Sequence, residues 1–508
     1  MTTIAITGAT GNMGAATFAM LETAEHIDKI KLLCRSEKRA RKLLKKHKAL
    51  RDKTEIVLGE MSDRSAVTEL VRGAQLVINM AAVIPPKSDA APRAAQSCNE
   101  VGANVLAEVI ENTETDQPAL IHISTVALYG NRTGAHRFAR VGDPLLVSPF
   151  DVYSATKLRG EFRILESKIE KWAILRQTAM LHSKMFNDNL HDGLMFHTVF
   201  DAPLEWVTAH DSGLLMRNIA EAFASDCLPD GFWNKCYDIT GGKANRRYGI
   251  GSYDDGFAPI GAKTKMLFRP GDNVTRNFHG VWYADEKLNA MFDYQTQSVT
   301  DYWRGVYAAH PIFKIGKIVP KRLIRRLLID RLKKSRTAPH YWAKHGDDAR
   351  LTAYFGGRAQ YEKLQNTDWS DFPVPDGERI SEIEGNASPV FYGFDFDKPD
   401  SEIDKADLES VAAAHGGRLV TEQFRTGDMY TAVEWETQDG ERFFARPYTV
   451  LRAGHWHSSI YDEYVWDFDR LAKKDKVFAS IWYDSHAEDE DVRYFLDDDL
   501  NAHAQKLD

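Results

Sequence analysis

The octet Thr7-Gly8-Ala9-Thr10-Gly11-Asn12-Met13-Gly14 limits what this chain can fold into more than any other stretch. It follows the apolar run Ile4-Ala5-Ile6 and precedes a helix-like stretch from Ala15 to Leu21. Glycines spaced G-x-x-G-x-x-G between a strand and a helix let backbone approach a pyrophosphate closely. The helix N-terminus then offers unpaired N–H groups and a partial positive charge to it. Gly8, Thr10, Gly11, Asn12, Met13 and Gly14 are therefore candidate dinucleotide-binding residues. A glycine triplet alone is a weak signal; its place at the first strand and a second motif far downstream strengthen it.

Short apolar strands alternate with helical stretches through the first half of the chain, as a doubly wound parallel sheet requires. The candidate strands are Thr3–Thr7, Lys31–Cys34, Glu55–Leu58, Leu76–Met80, Ala119–Ser124 and Trp172–Leu175, with Leu204–Val207 and Tyr237–Thr240 near the cleft edge. At 508 residues the chain exceeds one ordinary domain. The reading is an α/β Rossmann-type domain with a substrate subdomain over 1–310, a basic amphipathic helix and connector over 311–385, and a small α+β C-terminal domain over 386–508. A net charge of −8 gives no reason to expect nucleic acid as a partner. The four scattered cysteines, Cys34, Cys98, Cys227 and Cys236, suit a reducing cytoplasm better than a disulfide framework. A strand begins almost at the N-terminus, leaving no room for a signal peptide, and no apolar run reaches membrane-spanning length.

The second motif is Tyr153-Ser154-Ala155-Thr156-Lys157. Tyr and Lys at i, i+4 share one helix face. An ammonium near a phenol, together with a positively charged nicotinamide, favours the phenolate. Tyr153 can then exchange a proton with a substrate oxygen while a hydride moves, and Lys157 can hydrogen-bond the nicotinamide ribose. Upstream, His122-Ile123-Ser124-Thr125-Val126-Ala127-Leu128-Tyr129-Gly130 ends a strand in hydroxyl residues, at the edge where α/β sheets bind ligands.

Taken in order, TGATGNMG, Asp63, Asn79-Met80-Ala81-Ala82, Asn99, STVALYG and YSATK resemble the extended short-chain dehydrogenase/reductases, the NAD-dependent epimerase/dehydratase group. The resemblance covers about residues 1–310 and implies a nicotinamide cofactor with a Ser/Thr–Tyr–Lys site. It puts the catalytic hydroxyl on Thr125, with Ser124 the alternative. It places Asp63 at the adenine, Asn79, Ala81 and Ala82 along the cofactor, and Asn99 in support of the active site. Many relatives dimerise, so a homodimer is a family expectation.

Cofactor choice is argued from the second strand, which ends Leu33-Cys34-Arg35-Ser36 with Lys38 and Arg39 following. An acid there suits the ribose of NAD and an arginine suits a 2′-phosphate, so Arg35 points to NADP, with NAD open. Val126 and Ala127 stand where 4,6-dehydratases of the group carry acids, which disfavours β-elimination. After Arg176, Gln177-Thr178-Ala179-Met180 replaces the family's proline-containing segment.

The segment 182–206, with Met185, Phe186, Leu190, Leu194, Met195, Phe196, Phe200 and Trp206 and few basic residues, suits a lipophilic alcohol or ketone better than a nucleotide sugar. Ordinary core packing is the competing explanation. Resemblance to hydroxysteroid dehydrogenases and ketoreductases points the same way. The alternatives are a nucleotide-sugar 4-epimerase retaining NAD, and a cofactor-sensing protein without turnover. Ile312 to Arg336 interleaves ten basic residues and one acid with apolar positions. Its readings are a helix packed on the first domain, a peripheral contact with an anionic membrane, or a partner-protein site. The C-terminal cadence Trp435…Gly440…Gly454-His455-Trp456 resembles a degenerate treble-clef module whose cysteine positions hold Thr437 and Ile460. No metal is expected there, and His455, His457 and His486 read as scattered histidines.

Overall fold

Thr3–Thr7 (β1), Lys29–Cys34 (β2), Thr54–Leu58 (β3), Leu76–Asn79 (β4), Ala119–Thr125 (β5), Trp172–Gln177 (β6) and Lys235–Ile239 (β7) form one sheet in the order β7-β6-β5-β4-β1-β2-β3. Every pairing in it is parallel. The computed structural model describes residues 1–113, 116–185, 193–284, 286–373, 380–385, 390–457, 461 and 465–495. Phe186, Leu190 and Ile460 lie outside them. Strand order reverses between β1 and β4, and that switch point is where such sheets open a ligand crevice.

The central strands β1, β4 and β5 are buried along their whole length, as parallel strands covered on both faces must be. Alternate side chains feed two cores. Ile4, Ile6, Ile78 and Ile121 pack with Phe18, Leu215 and Ile219 from helices Asn12–Met20 and Ala209–Ala224. Ala5, Val77, Leu120 and Ile174 pack with Val67, Leu106 and Ile164 from helices Arg64–Val71, Gly102–Glu111 and Val152–Leu165. The second core also takes Leu408, Val411, Trp435 and Leu451, so the C-terminal region docks on the outside of that helical layer.

Pro203–Thr208, expected near the cleft edge, pairs with Ala179–Leu181 and Arg246–Tyr248 in a separate three-stranded sheet over the crevice. In the C-terminal region Arg442–Ala445, which the sequence reads as a short strand, is one, flanking Val433–Glu436. The apolar run Val477–Trp482, which the sequence reads as a short strand, instead belongs to the helix Lys476–Trp482. Asp475 caps it by accepting from the Phe478 amide at 2.9 Å, and Val477, Phe478, Ile481 and Trp482 form one buried helical face. The continuous helix expected over Ile312–Arg336 is also corrected. The segment breaks into a 3-10 turn over Pro311–Lys317, a short helix over Lys321–Ile324, a π-helical turn over Arg325–Ile329 and a last turn over Asp330–Leu332. Pro320, which lacks an N–H, separates the first two pieces. No helix among the described residues is long and apolar enough to cross a membrane.

Candidate active site

The glycine turn connects β1 to helix Asn12–Met20 at the switch point. Gly8 has φ +70°, and a Cβ there would sit 2.7 Å from Ala81 N, at the end of β4. A Cβ on Gly14 would sit 2.2 Å from Gly8 O. Gly11 caps the helix with no side-chain hydrogen bond, so the first-turn amides are left for a ligand. Gly8, Gly11, Asn12, Met13 and Gly14 line a cavity of about 500 Å³ at the ends of the strands. Thr10 lines an adjoining groove of about 950 Å³ with Arg39, Lys42 and Lys46. Gly14→Ala is expected to push the turn apart and raise the Kd for nicotinamide cofactor at least about tenfold, read by nicotinamide fluorescence titration.

Behind the turn, the strand ends are tied together by buried polar groups. Thr7 Oγ1 donates to Asn79 Oδ1 at 2.6 Å and accepts from the Ala81 amide at 3.0 Å. Asn79 Nδ2 lies 3.1 Å from His122 Nδ1. Asn79 thus braces β1, β4 and β5 from within, while its neighbours Met80 and Ala82 line the cavity. His122 is held well below the ordinary histidine range by burial and by the Lys157 charge. Asn99 also works from behind: its side chain accepts from the Val83 amide at 2.8 Å and donates to Val83 O at 3.0 Å and to Thr156 Oγ1 at 3.1 Å. Asp63 caps helix Arg64–Val71, accepting from the amides of Ser65 and Ala66. Arg35 is exposed just past β2 and lines neither cavity nor groove.

Helix Val152–Leu165 starts at Asp151, whose carboxylate accepts from the Ser154 amide at 3.0 Å. It presents Tyr153, Lys157 and Glu161 at successive i, i+4 steps. Tyr153 lines the cavity beside Thr125. Burial pushes its phenol up to about 12; the neighbouring Thr125 hydroxyl opposes the rise and the Asp151 charge adds to it. Lys157 is buried one turn below, donating to Ile123 O at 2.6 Å with Nζ 3.4 Å from His122 Nε2. Desolvation brings it down from its ordinary 10.5 to about 8. Between those values the unfolded chain holds a proton that the folded chain has released. Stability should therefore rise with pH across that window, by up to about 1.4 kcal/mol per unit relative to Lys157→Met. Urea midpoints of both proteins at the two ends of the window would check this.

Ser124 and Thr125 part company. Both line the cavity, but Thr125 lies beside Tyr153 whereas Ser124 Oγ donates to Glu161. Glu161 is the hub of a buried cluster that the motifs did not disclose. It accepts from Arg176 Nη2 at 2.6 Å and lies 2.9 Å from His455 Nε2. Arg176 donates in turn to Ala453 O at 2.7 Å and to Tyr129 OH at 2.8 Å, and Tyr129 donates to Asp238 at 2.8 Å. The Arg176 charge and the His455 contact outweigh desolvation and hold the Glu161 carboxyl well below the usual range. The one sequence signal for it was Glu161 falling at i+8 from Tyr153.

The remaining cavity wall includes Ile84, Val126, Met180, Met185, Leu194, Met195, Trp206, Tyr253, Phe257, Phe278, Trp303 and Leu328. No lysine or arginine lines it among the described residues. Gln177 and Thr178 line it where the family's proline segment would run. Thr178 Oγ1 donates to Glu205 O at 2.8 Å, and Gln177 Oε1 is buried with no hydrogen-bond partner among the described residues. A cradle that only glycine fits, open helix amides and an orphan acceptor at the cavity wall together suit a dinucleotide ending in a carboxamide. No group of three or more potential metal ligands occurs among the described residues. His455 is committed to Glu161, and His486 stacks on Trp482 at 3.5 Å.

Residues 4–171 match the model of the NAD dependent epimerase/dehydratase family. No curated protein matches the sequence. Among solved structures, dTDP-glucose 4,6-dehydratase from Bacillus anthracis, in complex with NAD, is similar over 62% of this chain and 98% of its own, at 15% identity and TM-score 0.46. UDP-glucuronic acid 4-epimerase from Bacillus cereus, in complex with UDP-glucuronic acid and NAD, is similar over 62% and 100%, at 17% identity and TM-score 0.46. The Bordetella bronchiseptica enzyme WbmG in complex with NAD is similar over 62% and 96%, at 16% identity and TM-score 0.42.

Proposed function

We propose that the chain is a nicotinamide-dependent oxidoreductase that interconverts a secondary alcohol and a ketone on a lipophilic small molecule, of steroid, sterol or aryl type. The observation that carries this reading is the cavity itself. Tyr153 and Thr125 share it with a majority of aliphatic and aromatic side chains, and no described lysine or arginine lines it to meet a substrate pyrophosphate. Arg35 beside β2 supports NADP over NAD.

Bound cofactor supplies the hydride acceptor or donor. The chain supplies the rest. Thr125 and Tyr153 hold the reacting oxygen between them. In oxidation the carbinol carbon gives up its hydride while the hydroxyl proton passes to the Tyr153 phenolate; in reduction the phenol returns the proton to the carbonyl oxygen. Lys157, anchored on Ile123 O, places a positive charge beneath the phenol and keeps donors for a ribose hydroxyl. The apolar walls keep water from the reacting carbon.

The test follows reduced-nicotinamide absorbance with NADP⁺ or NAD⁺ and a panel of hydroxysteroids, sterols and aryl and aliphatic alcohols. Turnover with a lipophilic alcohol, faster with NADP⁺, is the expected result. Arg35→Asp should shift preference toward NAD⁺. A second reading, a nucleotide-sugar 4-epimerase with tightly held NAD, is favoured by the family match over residues 4–171. It uses the same Tyr153, Lys157 and Thr125. NAD released only on denaturation, interconversion of a UDP-sugar and no net reduction with any alcohol would replace the first reading with the second.

A further inference from the structure

The basic segment 311–336 presents two unlike faces. Inward, Ile324, Leu328, Ile329 and Leu332 pack against Phe196, Phe268 and Trp282, and Leu328 reaches the catalytic cavity. Lys321 is spent on Ile260 O and Gly316 O at 2.6 and 2.8 Å, while Lys333 meets Asp272 at 2.6 Å and Arg325 lies 4.0 Å from the same carboxylate. These contacts satisfy the packed half of the segment.

The outward half has no such account. Ile315, Ile318, Leu323 and Leu327 are 55%, 83%, 45% and 64% exposed. They are four of the eleven large apolar side chains exposed among the described residues, gathered within thirteen positions. Met266, 52% exposed, lies on a short helix that packs on Lys321–Ile324. Between and beyond them Lys317, Arg322, Arg326, Arg331, Lys334 and Arg336 are exposed and make no ion pair among the described residues. This cluster sits in a chain whose net charge is −8, so it is a local concentration and not overall basicity. Cations alone would fit any polyanion. Exposed isoleucine and leucine interleaved with them fit a surface that is anionic at its face and apolar just beneath.

We propose that residues 315–336 dock the protein peripherally on an anionic lipid bilayer, with Ile318 and Leu327 entering the acyl boundary and Arg322 and Arg326 among the headgroups. Because the same segment carries Leu328 into the cavity wall, docking sets the cavity beside the lipid. That link to a lipophilic substrate rests on the function proposed above, whereas docking itself is read without turnover.

The full chain would be co-sedimented with phosphatidylcholine vesicles and with phosphatidylcholine/phosphatidylserine vesicles, at low and high salt. Partition onto the phosphatidylserine vesicles should exceed that onto phosphatidylcholine at least about tenfold and weaken with salt. Arg322→Glu/Arg326→Glu should abolish that preference. Ile318→Glu/Leu327→Glu should lose most binding even at low salt. Both variants should keep the parent melting temperature, since these side chains lie outside the packed face. A parent protein that stays in the supernatant with phosphatidylserine vesicles would overturn the proposal. So would full binding by Ile318→Glu/Leu327→Glu with equal retention on heparin, which would mark a general polyanion or acidic-protein site.

Discussion

Tyr153→Phe is expected to lower kcat/KM by about 10²–10⁴-fold, the usual worth of a positioned general acid or base. The change removes the hydroxyl that meets Thr125 and keeps the ring that fills the cavity wall. Cofactor binding and the melting temperature should stay near those of the parent. Thr125→Val should fall in the same direction, because it removes the other hydroxyl at the reacting oxygen. Ser124→Ala should not, because Ser124 faces Glu161; its effect should appear in stability and leave kcat/KM nearly unchanged. Steady-state kinetics of the three variants beside nicotinamide titrations would check the pattern. A Tyr153→Phe protein with parental turnover would remove the phenol from the mechanism. The parent should also show a pH limb in oxidation that shifts down when cofactor is bound, since burial, with the Asp151 charge adding to it, holds the free phenol at about 12 and the positive nicotinamide favours its anion.

The second large effect concerns stability. Glu161→Ala is expected to cost about 3–5 kcal/mol, because it leaves the Arg176 guanidinium, 0% exposed, without its carboxylate. His455 would lose its partner at the same stroke, loosening the C-terminal region from the catalytic helix. Pairing Glu161→Leu with Arg176→Met should recover much of the loss, since an apolar pair need not be desolvated as ions. Denaturant midpoints of the single and double variants form the cycle that reads this. The pH dependence has a defined sign. The Glu161 carboxyl is held below its ordinary 4.5, so its contribution is complete above that value and is lost as pH falls. A Glu161→Ala protein as stable as the parent would show that the cluster contributes nothing net.

The sheet and the tight glycine turn after its first strand were legible because their signals are local. A glycine that must adopt φ +70° and a glycine whose Cβ would strike a carbonyl announce themselves in sequence order, as do apolar strand runs and the i, i+4 spacing of Tyr153 and Lys157. The same holds for Arg442–Ala445, where a short turn sets the register of an antiparallel neighbour. Val477–Trp482 misled because a six-residue apolar run is compatible with strand and helix alike, and the Asp475 cap with the packing of Phe478 and Trp482 decided between them.

Sequence by itself determined the parallel α/β sheet, the placing of the glycine cradle at its first turn and the helical alignment of Tyr153 with Lys157. Tertiary structure alone showed that, of two adjacent hydroxyl residues lining the cavity, Ser124 has its hydroxyl committed to a buried carboxylate. The sequence motif favours Thr125 and keeps Ser124 as the alternative; the contact between Ser124 and Glu161 is a pairing across 37 positions that no motif carries. Tertiary structure alone joined Glu161, Arg176 and His455 across almost three hundred residues, and it alone turned half of the basic segment inward and left the other half exposed. Those outcomes depend on burial and on pairings distant in sequence. A chain reveals its local backbone requirements in order, but it reveals which polar groups share a buried space only once it has folded.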